Sequence, residues 1–167
     1  MTSLQITANT LRNAGVSTPC IYRHLLKEFN GTPYKWGGSS LGGSDCSGSV
    51  CAALSAATGC SIRVCADELY RTVFTQPYTY SADRKEPISA AFFLDEKGKA
   101  VHVAGYCGVD AITSCTAGTF MNVSSCEKSG TGTFRTLKEL EYLYPHLHIE
   151  LKVLREDFGH GHIQDVF

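Results

Sequence analysis

Apolar positions recur at helical spacing in the first half of the chain and alternate along short runs in the second half. In IYRHLLKEFN, Ile21, Leu25, Leu26 and Phe29 fall on one face, and Asn30-Gly31 supplies a stop. CSGSVCAALSAATG puts Cys46, Val50, Ala53, Leu54 and Ala57 on one face before Gly59. CADELYRTVF predicts a further helix that turns Ala66, Leu69, Tyr70 and Val73 inward and ends at Gln76-Pro77. QPYTYSADRKEP, polar and punctuated by prolines, reads as a long loop in which Tyr78 and Tyr80 are ordinary loop aromatics or, as the alternative, line a substrate groove. From Ile88 the pattern predicts strands at ISAAFFL, AVHVAGYCG, AITSC and TFMNVSS, with turns at Asp95–Gly98 and Val109–Asp110. Along the second of these, His102, Ala104 and Tyr106 share one side, and Val101, Val103 and Gly105 the other. RTLKELEYLYP predicts a short helix. HLHIELKVLRE predicts a last strand, with His148, Glu150 and Lys152 toward water and Ile149, Leu151 and Val153 toward the core. The sum is an α+β domain, with helices packed on one side of an antiparallel sheet.

One stretch of this pattern carries chemistry. Ser44 and Asp45 precede Cys46 and are of the type that caps a helix by accepting its first backbone N–H groups. A thiol in the first turn feels the positive end of the helix dipole, which favours thiolate and lowers its pKa from about 8.5 toward neutrality. Gly37, Gly38, Gly42 and Gly43 just upstream leave room for a substrate backbone. A cysteine taken alone is more often an inert core residue, and with eight in the chain number selects none. The setting, a capped helix start behind a glycine-rich loop, selects Cys46.

PYKWGG followed by DCSG and a small-residue helix resembles the signature of the NlpC/P60 cysteine peptidases, papain-like enzymes that cut the peptide stems of bacterial cell walls. VHVAGYCG resembles that family's strand with the catalytic histidine, and ISAAFFLDEKGK the apolar strand before it; the resemblance covers roughly residues 21–115. It implies a papain-like NlpC/P60 fold with Cys46 as nucleophile and His102 as base. Tyr34 would lie beside the nucleophile and polarise the scissile carbonyl, with the Cys46 main-chain N–H at the oxyanion. Asp45 and Ser47, which flank Cys46, are placed with Tyr34 on the substrate and oxyanion side, and Trp36 is expected to pack under the loop. The family's third polar residue, usually His and otherwise Asn, Gln or Glu, lies about twelve residues past the histidine. Counting from His102 lands on Ser114, which is taken as the third catalytic residue. A serine hydroxyl accepts the ring N–H but stabilises an imidazolium less than a carboxylate does. A backbone carbonyl, or Thr113 or Asn122 after a register shift or bulge, is the alternative.

Composition narrows the rest. With 167 residues, 43% hydrophobic, and a net charge of -1, the chain is long enough for one domain with its own core, placed at about 21–155, and 156–167 as a flexible tail. Near-neutral charge gives no argument for nucleic acid or an anionic membrane surface, and no apolar run approaches the ~20 residues of a membrane span. The cysteines contain no CxxC pair and match no common zinc module, so reduced thiols in small core positions are expected. His160 and His162 lack acidic or thiolate companions, so no metal or other cofactor is expected. The N-terminus lacks a basic segment followed by an apolar one, which predicts synthesis in the cytoplasm. Action at the bacterial wall would then follow release, specialised export, or incorporation in a virion. The expected partner is a peptidoglycan peptide, cut typically between D-Glu and diaminopimelate or lysine. A monomer is expected, and an immunity or inhibitor protein is left open. The alternatives are a thiol acyltransferase or hydrolase acting on lipids or esters, and a wall-binding protein with impaired chemistry, the latter motivated by Ser114.

Overall fold

The computed structural model describes residues 1–78, 86–110 and 115–159. It opens with a helix that the apolar spacing does not announce, α1 (Ser3–Asn13). Local chemistry forms it: Thr2 accepts the Gln5 N–H while the Gln5 side chain accepts the Thr2 N–H, and Leu4 and Ala8 then reach the core. α2 (Thr18–Lys27) begins ahead of IYRHLLKEFN because Pro19 sits in its first turn, where a missing N–H is harmless. Ile21, Leu25, Leu26 and Phe29 are all buried, as their spacing requires. A two-stranded ribbon, β1 (Ser39–Ser40) with β2 (Gly43–Ser44), then leads into α3 (Cys46–Thr58), which stops at Gly59 with a left-handed φ of 78°. CADELYRTVF is not one helix: a single turn, α4 (Ala66–Glu68), passes into a π-helical turn at Leu69–Val73. Gln76-Pro77 does more than end it, forming the edge strand β3 (Gln76–Pro77), a position that tolerates proline.

The sheet is antiparallel with strand order β3-β8-β4-β5-β6-β7. Its members are β4 (Ser89–Leu94), β5 (Ala100–Asp110), β6 (Cys115–Asn122), β7 (Thr133–Arg135) and β8 (His148–Val153). The Asp95–Gly98 turn forms as expected, with Asp95 accepting the Lys97 and Lys99 N–H groups. The turn expected at Val109–Asp110 does not form there. β5 continues through both residues, and register shifts after Tyr106 and Gly108 absorb its extra length. The strand read at AITSC falls mostly on residues 111–114, outside the described residues, while Cys115 opens β6. β8 is the last strand of the described residues yet lies inside the sheet, between β3 and β4. Its polar side is not simply wet: the Tyr70 hydroxyl donates to Glu150, and Lys152 lies 5.7 Å over the Tyr70 ring.

Helices cover one face of the sheet, where Ala90, Phe92, Leu94, Val103, Cys107 and Met121 meet the helical residues. On the other face, Ala91, Phe93, Ala104, Tyr106 and Phe120 pack with Leu140 and Tyr144 at α5 (Leu137–Leu143). Every residue of β4 is therefore buried, since neither face is open. The core extends past the boundaries read from the sequence, to Leu4 at one end and Phe158 at the other; residues 160–167, with His160 and His162, are outside the described residues. All seven cysteines whose side chains are described are free, but only Cys51 and Cys107 are buried, and Cys20, Cys65 and Cys126 are exposed. Small core positions thus account for few of them. Among the described residues, no helix is long and apolar enough to cross a membrane and no cluster could hold a metal ion.

Candidate active site

Cys46 is delivered by a joint between the glycine loop and the first turn of α3. Asp45 caps the helix, its Oδ1 accepting the Gly48 N–H at 2.7 Å, while Oδ2 accepts the Gly37 N–H at 2.8 Å and the Asp45 N–H donates to Gly38 O at 3.1 Å. Arg63 grips both carboxylate oxygens at 3.1 and 3.2 Å and donates to Ser47 Oγ at 3.1 Å. Any Cβ at Gly48 would overlap the Gly38 carbonyl oxygen, so the loop can lie on the helix only because that position is glycine. Asp45 and Ser47, expected on the substrate side, have their polar atoms engaged inside this joint; Ser44 donates to the Asp45 carbonyl and caps nothing. Trp36 is 85% exposed and does not pack under the loop.

α3 packs against β5, and the main-chain N–H groups of Val103, the residue after His102, and of Ser47 and Cys46 itself favour the thiolate. Burial nevertheless pushes the Cys46 thiol up to about 11, with the Asp45 carboxylate adding to the rise. This reverses the direction expected from the helix dipole. A helix terminus supplies about half a charge, whereas a thiolate crowded by protein loses hydration even though Cys46 is only partly buried.

His102 is buried, its ring 4.8 Å from Phe93 and stacked at 4.8 Å on Tyr144. Its Nε2 lies 2.6 Å from Asn122 Oδ1 and 3.2 Å from the Tyr144 hydroxyl. Burial lowers its pKa to about 4, against the pull of Asn122 and Glu127. Asn122 is itself fully buried and donates from Nδ2 to Glu127 Oε2 at 2.8 Å. Behind it Arg135 binds both oxygens of Glu127, at 2.6 and 3.0 Å. Tyr144 donates to Ser124 Oγ at 2.6 Å. Burial raises the pKa values of both Tyr34 and Tyr144, and the charge of a Cys46 thiolate adds to each rise.

Ser114 and Thr113 lie outside the described residues. The residue on the imidazole is Asn122, twenty positions after His102, because β5 runs on to Asp110 before the chain returns. Gly105 pairs with Met121, which carries Asn122 back toward the His102 end of β5. A count tuned to a shorter connection therefore stops short of Asn122. Glu127, Arg135, Tyr144 and Arg63 went unread: SSCEKSG looks like a polar turn, and nothing local marks its glutamate as buried.

With Nε2 occupied, Nδ1 is the ring nitrogen free to take a proton from a thiol. Among the described residues no hydrogen bond joins Sγ to the ring, and burial favours the neutral form of both groups.

A family profile described as NlpC/P60 matches residues 31–136, a span that holds Cys46, His102, Asn122, Glu127 and Arg135. The chain belongs to the NlpC/P60 family. Solved structures share its fold. NlpC1 from Trichomonas vaginalis is 18% identical with a TM-score of 0.57, covering 82% of this chain and 44% of that one. NlpC2 from the same organism is 18% identical with a TM-score of 0.58, covering 82% and 46%. A protein similar to lipoprotein, of the NLP/P60 family from Staphylococcus aureus, is 21% identical with a TM-score of 0.56, covering 82% and 41%. The chain thus spans less than half the length of each. No curated protein matches it. NlpC/P60 proteins are in general cysteine peptidases or amidases of cell-wall hydrolysis.

Proposed function

We propose that this domain is a cysteine endopeptidase that hydrolyses an amide bond in peptidoglycan stem peptides through a thioester. The observation that carries the reading is the packing of α3, with Cys46 at its amino end, against β5, which carries His102 with Asn122 held on its imidazole. A cysteine, a histidine and an orienting asparagine form the papain-like version of the nucleophile, base and orienter arrangement.

The Sγ–H proton passes to His102 Nδ1 as sulfur attacks the carbonyl carbon, so charge separates only within the enclosed complex. The carbonyl oxygen becomes an oxyanion that takes the main-chain N–H of Cys46 and the hydroxyl of Tyr34, which its raised pKa keeps protonated and able to donate. Collapse breaks the C–N bond, Nδ1–H protonates the leaving amine, and a thioester remains. Water, deprotonated by Nδ1, then releases the acid and restores the thiol. Asn122 fills the orienting place that Ser114 would fill poorly, which weighs against the reading of an impaired wall-binding protein. The order of Cys46 before His102 weighs against the lipid or ester acyltransferase. The site of action in this reading is the bacterial wall, reached by release, by specialised export or on a virion.

The test is digestion of purified diaminopimelate-type and lysine-type peptidoglycan by the wild type and by Cys46→Ala, with products weighed by mass spectrometry. New stem-peptide fragments from the wild type alone carry the reading and name the bond. Silence from both proteins on both walls refutes it.

A further inference from the structure

We propose that Glu127 is a positioning residue for this chemistry: its carboxylate, clamped by Arg135, fixes the Asn122 amide so that His102 is held as the Nε2–H tautomer with Nδ1 bare. The proposal rests on the reading of Cys46 and His102 as nucleophile and base.

An asparagine beside a histidine is ambiguous by itself. With Oδ1 toward the ring it requires a proton on Nε2; turned over, with Nδ2 toward the ring, it requires a bare Nε2 and a proton on Nδ1. The second arrangement disables the base, because the nitrogen that must accept the thiol proton is already protonated. Something must therefore choose the face. An ionised carboxylate accepts and cannot donate, so Glu127, at 2.8 Å from Asn122, demands Nδ2 and sends Oδ1 to His102.

Glu127 is equipped to stay ionised although it is 4% exposed. Burial pushes its pKa up, but hydrogen bonds from Arg135 and Asn122 outweigh burial and hold it below the ordinary glutamate value. Arg135 binds it through two nitrogens and is itself tied to Glu139 at 3.2 Å, so the clamp is anchored on α5. Tyr144 gives the same instruction independently. Its hydroxyl proton is committed to Ser124 Oγ at 2.6 Å, leaving only its lone pairs for His102 at 3.2 Å and Asn122 at 3.4 Å. Two acceptors thus agree that Nε2 carries the proton.

Imidazole nitrogen NMR of the wild type and of Glu127→Gln, above the histidine pKa, reads the tautomer without any substrate. The expected wild-type signal for His102 is the Nε2–H form alone, and Glu127→Gln, whose amide can donate as well as accept, shows a mixture. Iodoacetamide labelling of Cys46 near neutral pH should slow at least about tenfold in Glu127→Gln. In a double-mutant cycle with Asn122→Ala, the Glu127→Gln effect on labelling should vanish once Asn122 is gone. An Nδ1–H or mixed wild-type signal overturns the proposal even where Glu127→Gln fails to fold. So does a folded Glu127→Gln with the wild-type tautomer and labelling rate. If the tautomer and labelling results come out as expected while no wall is digested, the positioning role stands and the substrate assignment falls.

Discussion

Acid should destabilise this domain through His102, by an amount that follows from its burial. The folded imidazole titrates near 4, against an ordinary histidine value of 6.5. Between those values the unfolded chain binds a proton that the folded chain refuses, so stability falls as pH falls. The gap of about 2.5, at about 1.36 kcal/mol per pH unit, makes the loss about 3 kcal/mol from neutral pH to about pH 4. That is a large part of a typical domain's margin of about 5–15 kcal/mol. His102→Gln removes the titration but keeps an amide donor for Asn122 Oδ1. Carboxylates such as Glu127, whose lowered pKa also costs stability in acid, are present in both proteins and largely cancel in the difference. Urea denaturation followed by far-UV circular dichroism, from about pH 7 to about pH 4, gives the two stabilities. The wild-type advantage over His102→Gln should shrink by about 3 kcal/mol across that range. A difference constant to about 0.5 kcal/mol would refute the reasoning, since it would mean that the folded site takes up the proton freely.

Other consequences of the site can be measured separately. Gly48→Ala should force the Gly38 carbonyl off the helix, lowering activity at least about tenfold and costing about 1–3 kcal/mol of stability by thermal melting. Arg63→Met should loosen the Asp45 joint, for about 1 kcal/mol because Arg63 is partly exposed, with a larger fractional loss in kcat than in stability. Tyr34→Phe should lower kcat by about tenfold or more with KM little changed, if its hydroxyl is felt at the oxyanion. In His102→Ala, alkylation of Cys46 should lose its neutral-pH component and rise only toward the thiol's own value near 11.

The helices α2 and α3, both hairpin strands and the faces of β5 were legible because each is set by its own neighbours: a stop at Gly59, a turn at Asp95, alternation around His102. α1 was also legible in principle, through Thr2 and Gln5, but its apolar face is narrow and small alanines do not stand out. The third member of the site was not readable by counting, because its position depends on how far β5 runs before turning. Glu127 and Arg135 depend on a buried ion pair between a loop and β7, a tertiary fact with no local spacing. The thiol pKa failed for the same kind of reason, since the helix start is local but enclosure by β5 is not.

The placement of β8 also dictates an order of assembly. Cys46, His102, Asn122 and Glu127 have all been synthesised before His148, yet β4 has only one partner until β8 arrives to pair Ser89 through Leu94. SAAFFL, apolar on both faces, would meanwhile present a row of free backbone groups, the kind of edge that templates association between chains. A chain halted before His148 therefore carries every member of the site and is expected to aggregate rather than fold. Covering β4 falls to β8, the last strand of the described residues and second from the sheet edge, a long-range pairing of the kind that slows folding.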